Sequence, residues 1–172
     1  MRIAKVFLQS LFLAALGVLG PVLLLADESP VDPDAVLGIW ETPHEEDGWS
    51  RIEIYQCEDK YCGRIVWLNE PLYPADDDED MAGQPKVDRK NPDESLRSRS
   101  IQGLELMHSF VFDGKHTWKD GRIYDPKSGK TYRCKMEISE DGILKVRGYV
   151  KVGFVKLGRT SEWTPVTEPA TD

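Results

Sequence analysis

Gly129-Lys130-Thr131 carries the letters that close a phosphate-binding loop. Such a loop needs its first glycine where Tyr124 stands, and it must lead from a buried strand into a helix. Here Asp125-Pro126 is a turn signal, and Arg133 to Ile138 alternates with period two. The stretch therefore reads as strand, turn and strand, which excludes a nucleotide site. The acidic run Asp76 to Asp80 begins like a calcium loop. Counted from Asp76, the sixth position is Met81 rather than Gly, and the twelfth is Val87 rather than Glu. That departs from the EF-hand pattern and leaves a solvated acidic loop. His44, His108 and His116 have no ligand spacing, and no Ser-His-Asp or Cys-His arrangement stands out. The expectation is a non-enzyme without metal or cofactor. His108 lies on an apolar stripe and is expected as a satisfied core histidine.

Two other groups carry chemistry. Arg97 and Arg99 stand two apart on one side of an extended chain. Paired guanidinium forks can clamp a carboxylate or phosphate. The alternative partners are the chain's own acids, Asp88 and Asp93, with the arginines pinning the polar loop that carries them. Asn91-Pro92-Asp93 within that loop is a turn or helix-start signal. Cys57 and Cys62 flank the connection of a predicted hairpin, and a disulfide between them is expected. Cys134 falls on a core-facing stripe and is expected to be a buried free thiol.

The amino terminus bears on where such a disulfide would form. Arg2 and Lys5 precede an apolar run from Val6 to Leu25, broken by Gly20-Pro21 and ending at Ala26. That order is a secretory signal peptide over residues 1–26, which implies export, into a periplasm or beyond the cell. The run is also long enough to span a bilayer as an uncleaved anchor. Residues 27–36 read as a linker, 37–166 as one domain and 167–172 as a tail. The whole chain has a net charge of −8; without Arg2 and Lys5 it is −10. So acidic a domain will not hold nucleic acid by bulk charge. After signal cleavage no membrane span is expected.

Period-two patterns position these groups. Arg51 to Tyr55 alternates, as does Tyr61 to Trp67. A four-residue loop, Glu58 to Tyr61, would set Cys57 against Cys62, Ile54 against Ile65 and Ile52 against Trp67. Glu53, Tyr55 and Arg64 would then share the opposite face. Leu104, Leu106, Phe110 and Phe112 form another stripe, and Tyr132, Cys134, Met136 and Ile138 a further one. Glu140-Asp141-Gly142 predicts a hairpin with Ile138 opposite Leu144 and Met136 opposite Val146. Asp120-Gly121 marks a bulge or a turn. Roughly eight short strands and no long amphipathic helix predict an all-β antiparallel barrel or sandwich. The long polar stretch Pro71 to Ser100 follows the second hairpin strand. Gly38-Ile39-Trp40 early, with an inward Arg159 in the last strand and an indole face as its partner, resembles the lipocalin arrangement.

A closer resemblance rests on several blocks. They are Gly38-Ile39-Trp40, Cys62 to Leu68, Asp88 to Asp93 with Arg97 and Arg99, and Trp118 with Gly121 to Pro126. They continue with Ser128 to Tyr132, Val146 to Tyr149, and Gly158 to Thr160 with Trp163. Over Leu37 to about Val166 the chain resembles the exported bacterial proteins of domain-of-unknown-function family 2147. The resemblance implies a lipocalin-like barrel and no enzymatic activity. The chain departs from the family at the acidic insert and at Lys151 to Phe154, where the family is often more glycine-rich and apolar. The expected function is a barrel that binds one small anionic or amphipathic ligand. Trp67, Trp118 and Tyr124 are its candidate aromatic contacts, and Arg97, Arg99 and Arg147 its candidate anion contacts. Trp40, Arg159, Asn91 and Asp93 are expected to be structural. An interaction module with a filled barrel and an undetected hydrolase are the alternatives.

Overall fold

A computed structural model describes residues 31–46, 48–77 and 80–167. The expected signal peptide lies outside them. Eight strands follow in chain order: β1 (Gly38–Glu41), β2 (Ser50–Cys57), β3 (Lys60–Leu68), β4 (Glu105–Phe112), β5 (Thr117–Asp125), β6 (Lys130–Ile138), β7 (Leu144–Val152) and β8 (Val155–Pro165). Each pairs antiparallel with its neighbour, and β8 returns to β1 to close the barrel. Closure is short, with Trp40 against Pro165 and Glu41 against Thr164.

One end of the barrel is sealed. Pro33–Val36 forms a 3-10 turn with Asp32 as its cap. Val36 is fully buried beneath it. The Trp40 indole N–H donates to the Val36 carbonyl and the Trp118 indole N–H to the Pro33 carbonyl. Trp118, Phe110, Met136 and Leu144 fill this half. A large indole buried with its N–H satisfied adds apolar area without an unpaired donor.

The β6–β7 hairpin has the predicted register, with Met136 opposite Val146 and Ile138 opposite Leu144. Gly142 sits at φ 78°, the left-handed position such a loop requires. Asp120-Gly121 is a bulge within β5. A Cβ on Gly121 would come within 2.4 Å of the Phe110 ring, so only glycine fits there.

Three register expectations are corrected. The β2–β3 turn is two residues, with Cys57 opposite Lys60 and Tyr55 opposite Cys62. Glu58 takes the left-handed conformation that so tight a turn needs. Cys57 and Cys62 are thus diagonal neighbours rather than opposite ones, and their Cα atoms, 5.8 Å apart, still permit the disulfide. Glu53, Tyr55 and Arg64 do share the outer face: Arg64 pairs with Glu53 and lies over the Tyr55 ring. Secondly, a bulge at Arg51/Ile52 sets Trp67 against Arg51 instead of Ile52. Trp67 is therefore part-exposed, with the Arg51 guanidinium over its ring. Thirdly, Ser109 at φ 67° shifts the phase of β4. Met107 and Phe110 are buried, whereas His108 is exposed and bonded to Ser109.

The disulfide lies on the outer face and closes a short loop, so its stabilisation should be modest. Replacing both Cys57 and Cys62 with Ala is expected to cost about 2 kcal/mol in denaturant unfolding, with the barrel retained. Gly121→Ala is expected to cost about 1–3 kcal/mol in the same assay, because the Phe110 ring is fully packed and cannot yield.

Candidate functional site

The end opposite the 3-10 turn is open. A cavity of about 430 Å³ lies there. Ile123, Tyr124, Tyr132, Val146, Gly148, Ser161 and Trp163 line its walls. The β1–β2 connection (Thr42, Pro43, Trp49), Asn69 and Lys86 of the long loop, and the β5–β6 turn edge its mouth. The Trp49 amide is anchored by the Asn69 side chain, and its indole stacks on His44 with centroids 4.0 Å apart. Arg159 lines the cavity and pairs with Glu45, while Lys86 pairs with Glu70 at 3.6 Å. The walls are thus mainly apolar and the rim is charged.

A buried polar network sets the roof. Asp88 is fully buried. Its carboxylate accepts from the Tyr124 hydroxyl (2.6 Å), the Asn91 amide (2.7 Å) and Arg99 Nε and Nη2 (2.9 and 2.8 Å). The Arg99 guanidinium also lies over the Tyr124 ring, 5.7 Å from its centroid. Asn91 accepts from the Asp93 amide, and Asp93 caps the short 3-10 turn Glu94–Leu96. Arg97 donates to the Asn91 carbonyl and pairs with Glu94. The loop also carries its own bridges, Leu72–Pro85 and Val87–Ser100. In the acidic run, Asp77 pairs with Arg89, which lies over Tyr73. The Lys90 carbonyl lies where a Cβ of Gly129 would stand, 1.9 Å from its ideal place. Gly129 therefore serves the crossing of the long loop over the β5–β6 turn, within the predicted hairpin.

Of the candidate ligand contacts, Tyr124 is on the cavity wall. Trp118 lies in the sealed half, and Trp67 packs against Arg51 and Trp49. Arg147 donates to Thr160 across β7 and β8. Arg99 and Arg97 belong to the loop network, the first on Asp88 as the loop-pinning alternative anticipates, the second on Glu94 rather than Asp93. Arg159 shares the parity of Ser161 and Trp163, but its side chain stands exposed at the mouth, and its partner there is Glu45 rather than the expected indole. The remaining wall residues escaped the sequence reading, because parity alone does not separate a cavity wall from a core. The signal was present in size: Gly148 and Ser161 hold inward positions where a filled core would place bulk.

A closed eight-stranded antiparallel barrel, sealed at one end and hollow at the other, is a lipocalin-like calyx. Its family follows from the sequence: the chain belongs to the family described as uncharacterized protein conserved in bacteria (DUF2147), whose model matches residues 38–165. Among solved structures it is similar to protein HP1028 of Helicobacter pylori, described as belonging to the lipocalin family. The two share 24% identity at a TM-score of 0.63, over 77% of this chain and 84% of that one. No curated protein matches the chain.

Removing the acceptor at the centre of the network should release the roof. Asp88→Asn is expected to cost about 2–3 kcal/mol, the loss of charged hydrogen bonds at a buried site. Limited proteolysis should then open the segment between Asn69 and Leu104 ahead of the barrel. The tyrosines predict an alkaline limit. Burial, then the bond to Asp88, pushes the Tyr124 hydroxyl up to about 12. The bond to Glu105, then burial, pushes Tyr55 up to about 12 as well. The fold keeps both protonated while the unfolded chain ionises near 10.0. Stability is therefore full below pH about 10 and lost as pH rises towards 12. Denaturant midpoints across that window, read beside tyrosinate absorbance, check it.

Proposed function

We propose that the chain is an exported, non-enzymatic barrel that takes one small amphipathic ligand through its open end. The cavity carries this reading: its volume, about 430 Å³, falls in the usual range for small-molecule sites, and its walls are apolar below a charged rim. The apolar part of the ligand lies against Ile123, Val146 and Trp163. Its polar end meets Lys86 and Arg159 at the mouth. The lipocalin-like fold and the family support a binder rather than an enzyme. The Cys57–Cys62 disulfide is compatible with an oxidising compartment outside the cytoplasm. In this reading the anion contact moves from Arg97 and Arg99, which hold the long loop, to the rim, where the ligand's polar end competes with Glu70 for Lys86 and with Glu45 for Arg159.

Gly148 provides the test. A Cβ there meets Ile123 and Tyr132 at 3.6 and 3.8 Å, ordinary contact, and Gly148 has an ordinary strand conformation. Gly148→Leu therefore fills the cavity with little strain. Binding of anilinonaphthalene sulfonate, an anionic amphipathic probe, is expected to weaken by roughly tenfold or more, about 1.4 kcal/mol per decade. The unfolding midpoint should stay close to wild type. Unchanged probe binding would place the probe elsewhere and overturn the cavity as the site.

A further inference from the structure

The tip of the β7–β8 hairpin stands away from the barrel. Pairing of β7 with β6 stops at Arg133–Tyr149, and pairing of β8 with β1 starts at Thr164. Between them, Val150 to Leu157 pair, among the described residues, only with each other, around a turn at Gly153 and Phe154. Val150 and Leu157, then Val152 and Val155, are cross-strand partners, so all four side chains share one face. They are between 44% and 59% exposed, and Phe154 at the tip is fully exposed. The opposite face carries Lys151 directly across from Lys156. No acid occurs from Gly148 to Gly158, although the chain as a whole has a net charge of −8. Lys156 lies over the Tyr149 ring.

We propose that this hairpin tip docks the barrel on an anionic lipid surface, with Phe154 and the valine face in the acyl boundary and Lys151 and Lys156 on phosphate headgroups. Three features select a bilayer over other occupants. A protein groove covers one face of a hairpin, whereas an interface between water and acyl chains takes an apolar face, an apolar tip and a basic face together. Two like charges directly opposite each other repel, and anionic headgroups between them offset that repulsion. A second copy of the chain would gain little, since four side chains make a strip far smaller than the roughly 800 Å² per partner of a stable interface. The hairpin also rises at the open end of the barrel. Arg159 at its base lines the cavity mouth, so docking would bring that mouth to the membrane.

The protein offers a clean label site. Cys57 and Cys62 are bonded to each other, and burial pushes the Cys134 thiol up to about 12. A cysteine introduced by Phe154→Cys in the full chain therefore takes an environment-sensitive dye selectively. The label reads the hairpin itself, whatever residues 1–30 do. Its emission is expected to shift to the blue with vesicles of phosphatidylglycerol and phosphatidylcholine, and not with phosphatidylcholine alone or with inorganic phosphate. Lys151→Gln with Lys156→Gln is expected to lower vesicle partition by roughly thirtyfold, from two charges near an anionic surface. The unfolding midpoint reports that the barrel persists in each variant. No shift with any vesicle overturns the proposal. So does a concentration-dependent shift without vesicles, which would make a second copy the occupant. An equal shift on neutral and anionic vesicles, indifferent to the lysines, overturns the headgroup contact.

Discussion

The Asp88 carboxylate holds the open half of the molecule in place. A buried charge is costly unless every lone pair is used, and removing one partner leaves the rest exposed to that cost. Here the donors come from three separate places: Tyr124 from β5, Asn91 from the turn that follows Asp88, and Arg99 from the far limb of the loop. The carboxylate thus ties two limbs of the long loop to the barrel wall at one point. Because Lys86 and Asn69 of the same loop edge the cavity, the shape of the mouth depends on a group that does not itself line it.

That arrangement explains why a connection running from Asn69 to Leu104 can be ordered without strands of its own. Long connections lacking secondary structure are uncommon in compact domains. This one supplies its own substitutes. Tyr73 is buried, and its hydroxyl bonds both the amide and the carbonyl of Val87. Asp77 and Arg89 pair above that ring, and two isolated bridges set the register of the limbs. The polar composition that reads as a solvated loop is the material of an inward-facing network.

The barrel, its strand count and the β6–β7 register were legible in the sequence because period-two alternation and turn chemistry agree there. The disulfide was legible too, though for an imperfect reason: the turn is two residues shorter than expected, and a two-residue change keeps both cysteines on one face. Trp67 and His108 were misplaced by the opposite rule. Each follows or adjoins a bulge, and one extra residue inverts the face of everything beyond it. Ser109 in a left-handed conformation carries no sequence mark that a reader of parity could use. The cavity was hidden for a different reason. Inward residues near the mouth obey the same alternation as those in the sealed half, and only their volume differs. Arg159 has the parity of Trp163, yet its side chain stands exposed at the mouth, and its partner Glu45 lies on a loop far away in sequence, beyond the reach of strand patterning.

The two ends of the barrel follow opposite physical rules. At the sealed end, the indole N–H groups of Trp40 and Trp118 are bonded to the 3-10 turn, and Val36 is buried. At the open end, the hairpin tip exposes apolar side chains on strands whose outer edges have no partner among the described residues, a combination that invites edge-to-edge aggregation. Charged residues on an exposed strand are the usual restraint on such pairing, and Lys151 and Lys156 stand where that restraint belongs. Yet lysines alone would be served better by polar neighbours than by Val150, Val152, Val155 and Leu157, since exposed apolar strand residues contribute nothing to a core they do not reach. A soluble barrel that needed only solubility would end its hairpin at Tyr149 and Gly158, where pairing with the rest of the sheet ends. The pairs Val150–Leu157 and Val152–Val155 hold the extension together, and their exposed face is what contact with an apolar, anionic surface would cover.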